Sequence, residues 1–265
     1  MPENKSVSIA DAATLVKSGD TLALGGVTLY RRPMSFVRAL LRRKSLPVDL
    51  TLLCFTAALE SDLLVGAGCV RRIRTCYFGL ESFGFAPNFS AAVAAGALEI
   101  IEESEASLAL GIRATLQGVG FVAAAAWQGT DMLRLRPDVQ SIADPYTGET
   151  LTAFPAITCD VAVLHALEAD RTGNARLNAN WGIDRELSVV AKTVIITAEE
   201  IVDRLTGEAQ VLAPVVTAVV HAPRGAWPTS CYPCYPLGGG ELMRYVDECA
   251  AGRFAPYLED LLKTR

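Results

Sequence analysis

No stretch of this 265-residue chain reaches the roughly 20 consecutive apolar residues that a membrane span requires, because each apolar run meets a charge or a proline first. A signal-peptide core is missing too: the opening MPENKSVSIADAATLVKSGD is polar and then amphipathic. Net positive charge is also absent. A formal charge of -5 and a pI near 5.2 argue against nucleic acid or an anionic membrane as the main partner. A ligand carrying phosphates needs only a local basic patch. There is neither a Walker lysine nor a Gly-x-Gly-x-x-Gly, so nucleotide hydrolysis and NAD binding find no support. Internal repeats, low-complexity tracts and linkers are lacking as well. The expectation is one domain over residues 1–265, in the cytoplasm.

What is present suits a large packed core. Hydrophobic residues make up 51% and charged residues 20%, too apolar a mixture for disorder. The seven cysteines are scattered, and their odd number reads as reduced, buried thiols. Cys231 and Cys234 have the spacing of a redox or zinc pair, but the sequence offers no second pair or neighbouring histidine. They are read as structural, and no metal is expected. His165 and His221 end apolar runs and are read as core or strand-end histidines.

Short apolar runs alternate with segments of helical period. Strands are expected at Thr21 to Gly26, Val48 to Phe55, Arg72 to Phe78, Leu98 to Glu102, Phe121 to Ala126, Ile157 to His165, Thr193 to Thr197 and Val215 to His221. Helices are expected from Ser8, from Pro33, and over Ala57 to Val65, Ala106 to Gln117, Arg185 to Ala191 and Glu241 to Ala250. Strands apolar on both faces, interleaved with helices, predict an α/β fold: a mostly parallel sheet with helices on both faces. Asp131 to Phe154 reads as a long loop or excursion. Gly173-Asn174 and Gly238 to Gly240 read as turns.

The segment SGDTLALGGVTLYRRPMSFVRALLRR, Ser18 to Arg43, carries the clearest chemical signal. A strand runs into Gly25-Gly26, and Pro33 opens a helix. Paired glycines at the carboxyl end of a parallel strand allow close approach of a ligand to the backbone. Their N–H groups suit a phosphate or a thioester oxyanion, and Arg31 and Arg32 add donors. The alternative is a strand-to-helix turn with two solvated arginines. Farther on, Glu102, Glu103, Ser104 and Glu105 precede an apolar helix, which Ser104 or Glu102 would cap.

The Ser18–Arg43 segment resembles the N-terminal signature of family I CoA-transferases. It resembles in particular the A-type chain of glutaconate CoA-transferase, whose version has a basic pair before the proline, as Arg31-Arg32-Pro33 does here. The likeness continues through GAGCVRRIRTCYFG (Gly66 to Gly79), ITCDVAVLHALEADRTGNARL (Ile157 to Leu177), KTVIITAEEIV (Lys192 to Val202) and VVHAPRGAWPTSCYP (Val219 to Pro233). It implies a family I CoA-transferase fold and an obligate hetero-oligomer with a homologous B subunit that carries the nucleophilic glutamate. It also implies an acyl-CoA substrate and no tightly bound cofactor, coenzyme A being part of the substrate.

By the same resemblance, Gly25, Gly26, Val27, Arg31, Arg32, Glu81, Ser82 and Phe83 line the substrate site at the subunit seam. Phe78, Phe83 and Phe85 would surround Glu81 and Ser82 with apolar groups. In the related steroid-ring-cleaving CoA hydrolases a glutamate matching Glu105 belongs to the active site, which makes Glu105 the candidate general base beside the capping reading.

The chain departs from the pattern at Ser18, Val27, Arg31 and Trp227, and it stops before the C-terminal extension of the glutaconate enzyme. Those departures favour the diverged branch that decarboxylates 3-methylglutaconyl-CoA to 3-methylcrotonyl-CoA. True CoA transfer, ring-opening thioester hydrolysis and a non-enzymatic ligand-sensing domain are the alternatives.

Overall fold

A computed structural model describes residues 3–263. Among them eleven strands form: β1 (Thr21–Leu24), β2 (Leu50–Cys54), β3 (Val70–Thr75), β4 (Glu99–Glu102), β5 (Phe121–Ala124), β6 (Gln140–Ala143), β7 (Thr150–Pro155), β8 (Cys159–Asp170), β9 (Ala175–Arg176), β10 (Ala191–Val202) and β11 (Ala218–His221). The helices are α1 (Ile9–Ala13), α2 (Met34–Leu41), α3 (Leu59–Gly66), α4 (Pro87–Ala94), α5 (Glu105–Leu116), α6 (Met132–Leu135), α7 (Asp184–Val190), α8 (Gly239–Ala250) and α9 (Phe254–Lys263). The main sheet runs β11-β10-β8-β1-β2-β3-β4, with β9 appended to β8. Every pairing along that path is parallel.

The period of two along each strand divides the core between two layers. Leu22 and Leu24, Leu50 and Leu52, and Val161 and Val163 face one side, which α1, α2, α3, α8 and α9 cover. Ala23, Leu53, Ala162 and Leu164 face the other, which α5 and α7 cover. Helices therefore lie on both faces, as the doubly apolar strands imply.

Two expectations are corrected and one is narrowed. Phe121–Ala124 does not join the parallel sheet: β5, β7 and β6 make a separate antiparallel sheet in that order. Asp131 to Phe154 is accordingly an excursion rather than a loop, since it contains α6, β6 and most of β7. Its core is small, with Trp127, Val139 and Phe154 packed beside Leu110 of α5. Residues 140–143 are mostly exposed, so they lack the apolar alternation that announces a strand. Gly239 and Gly240 open α8 rather than a turn. Ser8 caps α1 through the Asp11 N–H, as read from the sequence.

Beneath α4, Asp62 is fully buried. It accepts hydrogen bonds from the backbone N–H groups of Asn88 and Phe89 and from the Tyr245 hydroxyl. Burial outweighs these bonds and raises its carboxyl to about 6. An unfolded aspartate titrates near ~4, so the folded state holds this proton more tightly. The contribution to stability is full below pH ~4 and is lost as pH rises through about 6. We expect melting temperatures of Asp62→Asn, measured against wild type, to gain on wild type between pH 4 and 6 and to hold a constant difference above about pH 7. A difference independent of pH throughout would show that Asp62 titrates normally.

Candidate active site

Because β1, β2, β3 and β4 are parallel neighbours, their carboxyl ends open on one edge of the sheet, the edge where open α/β sheets bind ligands. β1 leads into Gly25-Gly26, β2 into Phe55 and Thr56, β3 into Cys76 and Tyr77, and β4 into Glu103 to Glu105. The edge is bound together by its own backbone: Cys76 N–H donates to the Phe55 carbonyl and Ala57 N–H to that of Tyr77. Thr28 N–H donates to Thr56 Oγ1 at 2.6 Å.

The glycine pair is required by close packing. A Cβ on Gly25 would stand 2.6 Å from Leu164 Cδ2 and 2.7 Å from Asp184 Oδ1. Gly26 has φ +87°, and a Cβ there would meet the Tyr30 carbonyl oxygen at 2.5 Å. The expected free amides are not found. Gly25 N–H donates to the Val163 carbonyl at 3.0 Å, and Gly26 N–H donates to Asp184 Oδ1 at 2.9 Å. An aspartate from α7 sits where an oxyanion was expected.

Arg31 and Arg32 are not the solvated pair of the alternative reading, for both are fully buried. Arg31 donates to Asp184 Oδ2 at 2.9 Å and to the His165 and Asn180 carbonyls. Arg32 pairs with Glu60 and donates to the Gly26 carbonyl at 2.8 Å. A buried guanidinium needs a charged partner, and these two find theirs in Asp184 and Glu60. They brace the glycine loop from below, and Arg31 does so with φ at 52°, a left-handed conformation that only the surrounding bonds sustain.

Val27 stays at the edge, half-buried. Its Cγ2 lies 2.8 Å from where a Cβ on Gly182 would stand, with Phe55 Cδ1 3.7 Å from the same point. Val27, Phe55 and the Gly182 turn thus form one apolar corner. Beside it, Cys76 is half-buried and was not pointed to by the sequence. Burial, then the charges of Glu103, Glu105 and Glu102, push its thiol up to about 12. It remains protonated and is no nucleophile.

Glu105 begins α5 and is exposed. Ser104 caps the helix, bonding Ser107 N–H while Ser107 Oγ accepts from Ser104 N–H, so capping does not need Glu105. Glu103 is buried instead, held by Arg136 at 2.8 Å and Ser107 Oγ at 2.5 Å. Arg136 also donates to the Glu102 carbonyl, and the Trp127 indole N–H donates to Ser104 Oγ. The small antiparallel unit is therefore fastened to the end of β4 beside Glu105. Three strand spacings separate Glu105 from the glycine loop, roughly 14 Å at about 4.8 Å each. The two share an edge without touching.

Glu81, Ser82 and Phe83 form a single 3-10 turn. Phe83 packs into the layer of α8, opposite that of α5. The expected apolar surround is not present in this chain alone. Phe78 stacks on Phe89 at 4.2 Å, Phe85 is 85% exposed, and Glu81 and Ser82 stand in solvent. An exposed phenylalanine on a turn with Glu81 at φ 55° suits a surface that another chain covers.

His165 is fully buried, bonded to Thr197 Oγ1 at 2.9 Å and Glu199 Oε1 at 2.8 Å. Burial lowers its affinity for a proton. The structure does bring it near Cys231, contrary to the sequence reading: His165, Glu199 and Cys231 offer ligand atoms within 4.8 Å of one another. Glu199 is already held by Tyr235 and by the Arg224 and Gly225 N–H groups. A metal would have to break that network. No helix of the described residues is long and apolar enough to cross a membrane.

Comparison with known proteins places this geometry. A family profile described as Coenzyme A transferase matches residues 6–220. The chain is 37% identical over 226 residues to the A-type chain of the 3-oxoadipate CoA-transferase of Pseudomonas knackmussii, covering 83% of this chain and 79% of that protein. It is similar to a variant of the decarboxylase AibA/AibB at TM-score 0.92 and 31% identity, covering 99% of this chain and 100% of that one. It is also similar to glutaconate coenzyme A-transferase from Acidaminococcus fermentans at TM-score 0.89 and 28% identity, covering 97% and 88%.

Proposed function

We propose, from the premise that this chain belongs to the coenzyme A transferase family, that it is the A-type half of a two-subunit decarboxylase converting 3-methylglutaconyl-CoA to 3-methylcrotonyl-CoA. The observation carrying this reading is the likeness to the decarboxylase AibA/AibB over 99% of the chain. The chemistry of the edge supports it. Val27 and Phe55 are apolar, Cys76 is held as a thiol, and His165 is buried. An apolar corner beside a protonated thiol suits a reaction that needs no cysteine nucleophile from this chain.

In that reaction the bond to the distal carboxylate breaks and CO2 leaves. The electron pair passes through the conjugated double bond to the thioester oxygen, giving a dienolate. One proton at the terminal carbon then completes 3-methylcrotonyl-CoA. An apolar wall disfavours the charged carboxylate of the substrate. Glu105 stands at the edge to deliver the proton, while Val27 and the turn Glu81, Ser82 and Phe83 face the acyl group. Gly25 and Gly26 shape the floor, which Arg31 and Arg32 hold in place. The B-type subunit closes the cleft over Phe85, and coenzyme A enters only as part of the substrate.

The 37% identity to a transferase chain favours a second reading, CoA transfer with a nucleophile from the B-type subunit. Incubating the assembled complex with 3-methylglutaconyl-CoA distinguishes the two. We expect one CO2 per 3-methylcrotonyl-CoA formed with no acceptor acid present, and no turnover by this chain alone. Acetate-dependent exchange of CoA without CO2 would replace decarboxylation by transfer.

A further inference from the structure

A second cavity, of about 410 Å³, opens between α1, α2 and the loop after β11, lined by Ile9, Ser35, Arg38, Arg42, Ala222, Pro223, Arg224 and Trp227. It contains no residue of the glycine loop or of Glu81 to Glu105. Three of its eight lining residues are arginines, and none is a carboxylate. Arg38 is only 7% exposed; its Nε, like those of Arg31 and Arg32, has no hydrogen-bond partner, but unlike them it has no carboxylate paired with it among the described residues. The fully buried arginines of this protein are paired, Arg31 with Asp184 and Arg32 with Glu60, so Arg38 is the exception. The Ser35 hydroxyl on the preceding turn of α2 is likewise buried without a partner.

The rest of the lining is built to hold these donors in place. Arg42 Nε is fixed by the Leu262 carbonyl at 2.8 Å. Arg224, at φ 53°, lays its guanidinium over the Trp227 and Tyr235 rings at 5.9 and 5.3 Å. Its backbone N–H is held by Glu199 at 2.6 Å. Burial, and next the neighbouring Arg42, work against the charge on Arg38, an arrangement that a bound anion relieves. A guanidinium fork beside a hydroxyl fits the oxygens of a phosphate or a carboxylate. Ile9, Ala222, Pro223 and the Trp227 ring leave room for a small organic body.

We infer that this cavity is a binding site for a small dianionic oxyanion, a phosphate monoester or a dicarboxylate, separate from the acyl-CoA edge. Ser35 connects the two places: its N–H donates to the Gly225 carbonyl at 2.8 Å, and Arg32, three residues earlier, holds the Gly26 carbonyl.

Calorimetric titration of the full chain in a chloride-poor buffer, with inorganic phosphate and separately with succinate, tests the site. We expect saturable binding of at least one, weakened about tenfold or more in Arg38→Met and in Ser35→Ala, the size expected from losing a charged or a hydroxyl donor. Saturation by phosphate alone assigns a phosphate ligand, and saturation by succinate alone a dicarboxylate. Folding is checked independently: in the anion-free buffer Arg38→Met should melt no lower than wild type, since it removes a buried unpaired charge, and phosphate or succinate should no longer raise its melting temperature. No saturable heat with either anion, or undiminished binding by a folded Arg38→Met, overturns the site.

Discussion

Arg32→Met is expected to lose about 3–5 kcal/mol of folding free energy, the cost of leaving one member of a buried ion pair alone. Arg32 and Glu60 are both fully buried. Once the guanidinium is gone, Glu60 Oε1 keeps only the Ser61 hydroxyl at 2.7 Å and the Ala58 N–H at 3.3 Å, too little for an ionised carboxylate in a dry site. The Gly26 and Leu24 carbonyls lose their donor as well. Adding Glu60→Gln removes the orphaned charge, so the double variant should be more stable than the sum of the single losses by about 1–3 kcal/mol. Urea denaturation of the two single variants and the double measures this coupling. Strict additivity, or a loss below about 1 kcal/mol for Arg32→Met, would describe a solvated pair instead.

That ion pair also marks where reading the sequence stops. The parallel sheet itself was legible because β1, β2, β8 and β10 are apolar on both faces, a property carried by each segment by itself; the order of its strands was not. The separate antiparallel sheet was not legible either, because Gln140 to Ala143 is short and largely solvated and owes its strand to the partner it meets at Thr150 to Ala153. The same contrast holds at the site. Gly25 and Gly26 were correctly seen at a strand exit, since glycine carries its backbone freedom in its identity. What fills the space beside them is Asp184, 158 residues away from Gly26, and no local pattern announces it. Arg31 and Arg32 read as exposed donors in the sequence until Asp184 and Glu60 are found opposite them. Cys76 became visible only when β3 and β4 brought it next to three glutamates.

Glu105 carries the second large prediction, and its logic is the reverse of that for Arg32. The side chain is exposed, and the capping box of α5 is completed by Ser104 and Ser107 without it. Substitution by glutamine therefore leaves folding nearly untouched, with a melting temperature within about 2 °C of wild type. Activity should behave differently. A carboxyl group that supplies the proton to the dienolate contributes about 10²-fold or more to turnover, and glutamine keeps its shape without its proton. KM should change little, since the apolar corner of Val27 and Phe55 and the braced glycine loop remain.

Steady-state turnover of the assembled complex bearing Glu105→Gln, on the substrate that wild type turns over, probes the assignment of this sheet edge most directly. The arrangement described predicts kcat down by about 10² or more in a complex that assembles and melts like wild type. Wild-type kcat in that complex would contradict it, and would move the chemistry away from the carboxyl ends of β1 to β4.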